Sequence, residues 1–224
     1  MTENEIKTIL LRNNPEKLAI YLSIILEKCK DIAKESNMIG VFMAILVFLY
    51  YMADFKQLES LQIGPLSISD IKTVKIFIPL VFAFLIFRFV LLGAHKAELH
   101  KIIKEYTIEY FKFEDKIQQN ALYMDDFTRS ILPFSLYGEI GKLGHKGKSK
   151  FGCFGAILLF PITGFAVLPF ILEYIWTKSF VEKYDTLNFT EKSTVVLTIW
   201  MLVLSLYYFI HTIIISIKEN RESK

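Results

Sequence analysis

Residues 76–94 read IFIPLVFAFLIFRFVLLGA, and this stretch decides the fold. It runs for nineteen residues with one charge, Arg88, and no polar face. At 1.5 Å per residue a helix of that length reaches about 28 Å, close to the roughly 30 Å of a bilayer's hydrocarbon core. A helix in the core of a soluble bundle keeps a polar side over such a length. This one keeps none, so lipid suits it better than water. Polar and apolar residues do not alternate along it, which argues against a barrel strand.

Three further apolar blocks lie outward from it. Residues 38–53 read MIGVFMAILVFLYYMA, residues 151–175 read FGCFGAILLFPITGFAVLPFILEYI, and residues 194–217 read TVVLTIWMLVLSLYYFIHTIIISI. A spanning helix needs about 20 mostly apolar residues, within about 17–25. The first block is slightly short and is extended to 55, with local bilayer thinning as the other remedy. The expected fold class is therefore all-α, a polytopic membrane protein with four transmembrane helices and a cytoplasmic helical extension. The expected segments are an amphipathic arm at 1–37, a span at 38–55, an outer loop at 56–75 and a span at 76–94. A cytoplasmic helix and Gly/Lys loop follow at 95–150, then a span at 151–175, an outer loop at 176–193, a span at 194–217 and a tail at 218–224. No cleavage pattern follows the first apolar block, and an acidic N-terminus precedes it, so a signal peptide is not expected.

Lysines and arginines orient the spans. The arm at 1–37 holds six, 95–150 holds ten and 218–224 holds three, while the short loops at 54–75 and 176–193 hold three each. Even-numbered crossing puts nineteen on one side and six on the other. The positive-inside rule then places both termini and 95–150 in the cytoplasm. Tyr50, Tyr51, Tyr174 and Trp176 fall at the outer ends of spans, as an aromatic belt would. Abundant Ile, Lys and Phe favours a bacterial inner membrane, although Asn188-Phe189-Thr190 is a glycosylation sequon on the outer side. The net charge of +3 excludes nucleic acid as a partner. The two cysteines, Cys29 and Cys153, sit on the inner side, where disulfides are rare.

The cytoplasmic pieces are amphipathic. Asn14-Pro15 is a helix-start signal, and Leu18, Tyr21 or Leu22, Ile25, Cys29 and Ile32 then recur at helical spacing. That stripe suits a helix on the membrane surface, on a partner, or on the long loop of the same chain. Residues 97–124 carry the clearest stripe, Leu99, Ile102 or Ile103, Tyr106, Tyr110, Phe113, Ile117 and Ala121. Lys101, Lys104, Glu105, Glu109, Lys112 and Lys116 occupy the remainder. Only Gly93 separates this helix from the second span, so the two are expected to form one rod. Packing on the N-terminal helix is the expectation, with pairing between copies as the alternative. In residues 137–155 glycines recur at Gly138, Gly141, Gly144 and Gly147 among Lys142, His145, Lys146, Lys148 and Lys150. Glycine favours a loop there, and lysines just inside a membrane attract anionic lipid by roughly 1 kcal/mol each. Neither G-x-G-x-x-G nor a P-loop is present.

Few polar residues fall inside the spans. Arg88 is the one Lys or Arg within them, seven residues before His95 and so roughly 10 Å from the inner end. An intramembrane charge is a functional candidate, with snorkelling as the plain alternative. His211 lies at a similar depth in the fourth block, and it and Arg88 could line one polar seam, with Tyr207 and Tyr208 nearby as further intramembrane polar candidates. Glu173 reads as an interfacial carboxylate beside Trp176. Pro161, Gly164 and Pro169 in the third block are candidates for a kink or gate.

No catalytic signature is present. The pair His95 and His100 in H-K-A-E-L-H does not share a helix face, no G-x-S-x-G occurs, and Asp125-Asp126 starts no cation array. The chain is not expected to be an enzyme, with an embedded enzyme left open, and no cofactor or metal site is expected. The expected function is an oligomeric pore, channel-like or membrane-perturbing effector controlled through its cytoplasmic segment. A non-conducting anchor or regulatory subunit for a cytosolic protein is the alternative, and a transporter, which lacks support from inverted repeats, is third. The expected partners are the bilayer, anionic lipid, further copies of the chain and a cytosolic protein.

Overall fold

In a computed structural model the fold is described over residues 3–53, 61–63, 66–68, 71–111, 132 and 152–222. Five α-helices carry it: α1 Glu3–Arg12, α2 Pro15–Met52, α3 Ile71–Phe111, α4 Gly152–Val181 and α5 Phe189–Glu222. The expected Gly/Lys loop with Lys142, His145, Lys146, Lys148 and Lys150 lies outside the described residues, as does the expected helix beyond Phe111. The segment read as the first outer loop holds a short antiparallel hairpin, β1 Leu61–Ile63 and β2 Leu66–Ile68, with Gln62 opposite Ser67.

The start signal read at Asn14-Pro15 does what its chemistry allows. Pro15 has no N–H to leave unsatisfied at the first helical position, and the Asn14 side-chain oxygen accepts the Glu16 N–H at 3.0 Å. From there α2 continues to Met52, 38 residues and about 57 Å. The arm and the first apolar block are thus one helix, where the sequence reading kept them apart. The physical reason is local. Residues 27–37 read EKCKDIAKESN, mostly good helix formers, and nothing there stops the helix. The rod expected across Gly93 is also present, since α3 passes both Pro79 and Gly93 without a break.

Among the described residues three helices, α2, α3 and α5, are long and apolar enough to cross a membrane. Over the most apolar stretch of each, only 22 %, 28 % and 22 % of residues are buried within the chain. Val41, Phe42, Ile45 and Phe48 of α2 point outward, as do Val196, Trp200, Val203 and Ile210 of α5. A folded chain in water does not leave so much contiguous apolar surface uncovered. Helix α4 is helical through Pro161, Gly164 and Pro169.

Two compact units form from interleaved segments. The first comprises Met1–Asn37, Leu91–Ala156 and Phe209–Lys224, and the second Met38–Val90 and Ile157–Tyr208. In the first unit Ile25, Cys29 and Ile32 of α2 pack on Leu99 and Ile103 of α3. Next to them Ile6 and Leu10 of α1 pack with Leu18 and Tyr106. The two predicted stripes therefore meet within one chain. Leu22 joins the packed face while Tyr21 stays exposed. Helix α1 changes one expectation. Lys104 and Glu105 fall outside the apolar stripe and are nevertheless buried, with the Lys7 ammonium of α1 at 3.7 Å from the Glu105 carboxylate. The helix that covers them lies in the arm, upstream of the start signal at Asn14.

The helix hairpin of the second unit turns through a short 3₁₀ segment, Tyr184–Thr186, into Asn188. The Glu191 carboxylate accepts the Asn188 N–H at 2.8 Å, one half of a capping box, so α5 starts at a defined residue.

Candidate functional site

The residues read as polar candidates within the apolar blocks, Arg88, Tyr207, Tyr208 and His211, are all exposed. Within the second unit α3 and α5 meet at this level, because the Phe87 ring lies edge-on to Tyr208 at 5.7 Å between centroids. Tyr207 and Tyr208 stand edge to face at 5.7 Å. Arg88 is thus one residue from a ring contact between two apolar helices, with its own side chain turned away from the packed interior. His211 belongs to the other unit.

A second polar group lies inside, where the sequence reading set it at an interface. Glu173 of α4 is fully buried within the second unit rather than facing an interface. Its spacing explains how. Glu173, Trp176 and Thr177 fall at i, i+3 and i+4, one face of the helix, and that face is inward. Tyr174 and Ile175 fall between them and are exposed. One carboxylate oxygen of Glu173 accepts a long hydrogen bond from the Thr177 hydroxyl at 3.4 Å. The other oxygen has no hydrogen-bond partner among the described residues, and neither does the indole N–H of Trp176. A buried acceptor and a buried donor one turn apart on the same helix face are each costly to leave unmade, by about 1–3 kcal/mol.

An aromatic wall closes this site from two other helices. Tyr50 of α2 stacks on Trp176 at 4.2 Å between centroids and 21° between planes. Phe82 of α3 approaches the same indole at 5.0 Å and 62°. The Lys75 ammonium sits 4.6 Å over the far side of the arrangement, on the Tyr50 ring. These contacts join α2, α3 and α4 around the Trp176 indole. They also correct the aromatic belt. Tyr51 and Tyr174 are exposed, but Tyr50 and Trp176 face inward as packing residues.

Helix α5 adds hydroxyls. Thr194, Thr198 and Ser205 are buried, at i, i+4 and i+11, and each donates to the carbonyl four residues back. That back-bonding satisfies their donors and leaves hydroxyl lone pairs toward the interior. Counted from the turn, Thr194 matches Trp176 in depth and Thr198 matches Glu173 to within one residue. This stripe was the available signal: three small hydroxyl residues on one face of an otherwise apolar block. Among the described residues no group of three His, Cys, Asp or Glu could hold a metal ion. Pro169 is half-buried, and Pro161 and Gly164 are placed only as positions along α4.

Compared with known proteins, the chain matches no family model, no curated protein and no solved structure.

Proposed function

We propose that the chain is a four-pass membrane protein, with both termini and residues 95–150 in the cytoplasm, that assembles with further copies into a pore-like structure. The observation that carries this reading is the exposure of Arg88, Tyr207, Tyr208 and His211 inside apolar segments. An arginine facing lipid near a span centre costs about 2.5–3.5 kcal/mol, and less toward the interface. A closed ring of identical copies removes that group from lipid in every subunit at once. It also gives each copy a polar edge from which an aqueous path can be built, which a single copy with so few spans cannot enclose.

Two measurements test this together. The mass of the complex in mild detergent is expected to exceed that of one chain, and purified protein in liposomes is expected to pass ions or a small dye. A monomer that passes neither under any condition refutes the proposal. For the topology, a cytoplasm-only reporter is expected to work after Lys224 and near Gly144, and to stay silent near Gln62 and Asp185. Activity near Gln62 overturns the arrangement of spans.

A second reading has its own observation. Ile9 and Leu11 of α1 and Ile20, Tyr21 and Ile24 of α2 are exposed in the segment read as cytoplasmic. A membrane anchor or regulatory subunit that holds a cytosolic protein on this apolar surface accounts for them. Pull-downs that recover only the chain itself count against it.

A further inference from the structure

We propose that Glu173 is a proton-exchange site inside the membrane domain, walled by Tyr50, Trp176 and Phe82. The proposal rests on α4 crossing the bilayer, and it does not require the pore.

Three observations point to a ligand. The Glu173 side chain is fully buried, and one of its oxygens finds no partner among the described residues. The indole N–H of Trp176, one turn along on the same face, is also unpartnered among them. A carboxylate so placed needs a cation, because burying an unpaired charge in an apolar interior is far more costly than burying a neutral acid. The described residues decide which cation. Hard metal ions take about six or more oxygens. Here the same face offers one carboxylate and one hydroxyl, and among the described residues no group of three His, Cys, Asp or Glu could hold a metal ion. A proton needs no shell. On uptake a hydronium gives its proton to the open carboxylate oxygen, an O–H bond forms from that oxygen's lone pair, and water is left. Release is the reverse.

The charged or titratable groups on the elements around the site are few. Helix α2 contributes Tyr50 and Tyr51, and α3 contributes Lys75 over the Tyr50 ring. On α4 the next charge is Lys178, exposed and paired with Glu182 at 4.0 Å. The buried face of α5 contributes only the hydroxyls of Thr194, Thr198 and Ser205, with Val195. Among the described groups, then, Lys75 is the one cation held against the wall of the site. It touches the outermost ring of the stack rather than the carboxylate.

The test uses the full chain in mild detergent and in liposomes, with dicyclohexylcarbodiimide as the probe. This apolar reagent takes the proton of a buried carboxylic acid on its nitrogen, and the carboxylate then adds to its central carbon. Peptide mass spectrometry is expected to place the adduct on Glu173. Labelling is expected to fall as pH rises and to be unchanged by sodium, potassium or calcium at fixed pH. It is expected to be lost in Glu173→Gln and kept in Glu173→Asp. The pH dependence and cation competition are read on the unmodified protein, so a variant that fails to accumulate does not decide the matter. An adduct elsewhere, labelling indifferent to pH, or protection by a metal cation at fixed pH each overturns the proposal. The Asp185 reporter reads the crossing of α4 separately. Liposomes without flux refute the pore and leave this site standing.

Discussion

Ile103→Ala gives the sharpest check on the packing of α2 against α3. Ile103 is fully buried where α3 meets Ile25, Cys29 and Ile32 of α2. The substitution removes three carbons, about 0.8 kcal/mol each or roughly 2.4 kcal/mol in transfer energy. The cavity left behind adds to this, and buried Ile→Ala changes cost about 2–5 kcal/mol in all. About 3 kcal/mol is the expected loss, which is on the order of a hundredfold in the opening equilibrium. The cluster contains its own reporter. Cys29 has no exposed surface, so a maleimide reaches its thiol only when the helix pair opens. With Cys153→Ser as background, the labelling rate in mild detergent is measured against the rate in unfolded chain. The rate must be linear in reagent, the regime in which it follows the opening equilibrium. Ile103→Ala is expected to speed labelling by on the order of a hundredfold, and Tyr21→Ala, on the exposed side of α2, to leave it unchanged. Acceleration of less than about threefold at unchanged assembly size would refute the packing of α2 on α3 through this cluster.

Asn14→Ala is expected to cost about 1 kcal/mol by removing the bond to the Glu16 N–H, with Asn14→Asp nearly neutral; hydrogen exchange over the first turn of α2 reads it. Arg88→Leu is expected to insert at normal abundance yet lose flux or change complex size, and Arg88→Lys to restore only part, because an ammonium lacks the planar fork of a guanidinium. Unchanged size and flux in Arg88→Leu would reduce Arg88 to a snorkelling residue. Changing Lys142, Lys146, Lys148 and Lys150 together to Gln is expected to weaken binding to anionic vesicles by up to roughly 1 kcal/mol per charge at low salt; equal binding rules out the lipid role.

The separation of roles between the two buried polar sets follows from their surroundings. Glu105 is buried beside a countercharge, Lys7 of α1, so it reads as part of the packing between α1 and α3. Glu173 accepts from one hydroxyl and makes no ion pair among the described residues. That difference, rather than burial alone, singles out the second.

How much of this was legible in the sequence depends on the range of the forces involved. Apolar length is a local property, so the blocks at 38–53, 76–94 and 194–217 could be read directly. Helix starts are local too, because Asn14 and Pro15 act within one turn. The stripes around Ile25 and Ile103 were legible because water covers one side of those helices and forces a periodicity. Inside the apolar blocks that contrast vanishes. Lipid is as apolar as a leucine core, so no hydrophobic gradient separates the inward face from the outward one, and packing decides between them. Only the tertiary structure could therefore show Glu173 and Trp176 turned in and Arg88, Tyr207 and His211 turned out. The burial of Glu105 was hidden for a related reason: the helix that covers it stands about a hundred residues earlier in the chain, beyond the reach of any local pattern.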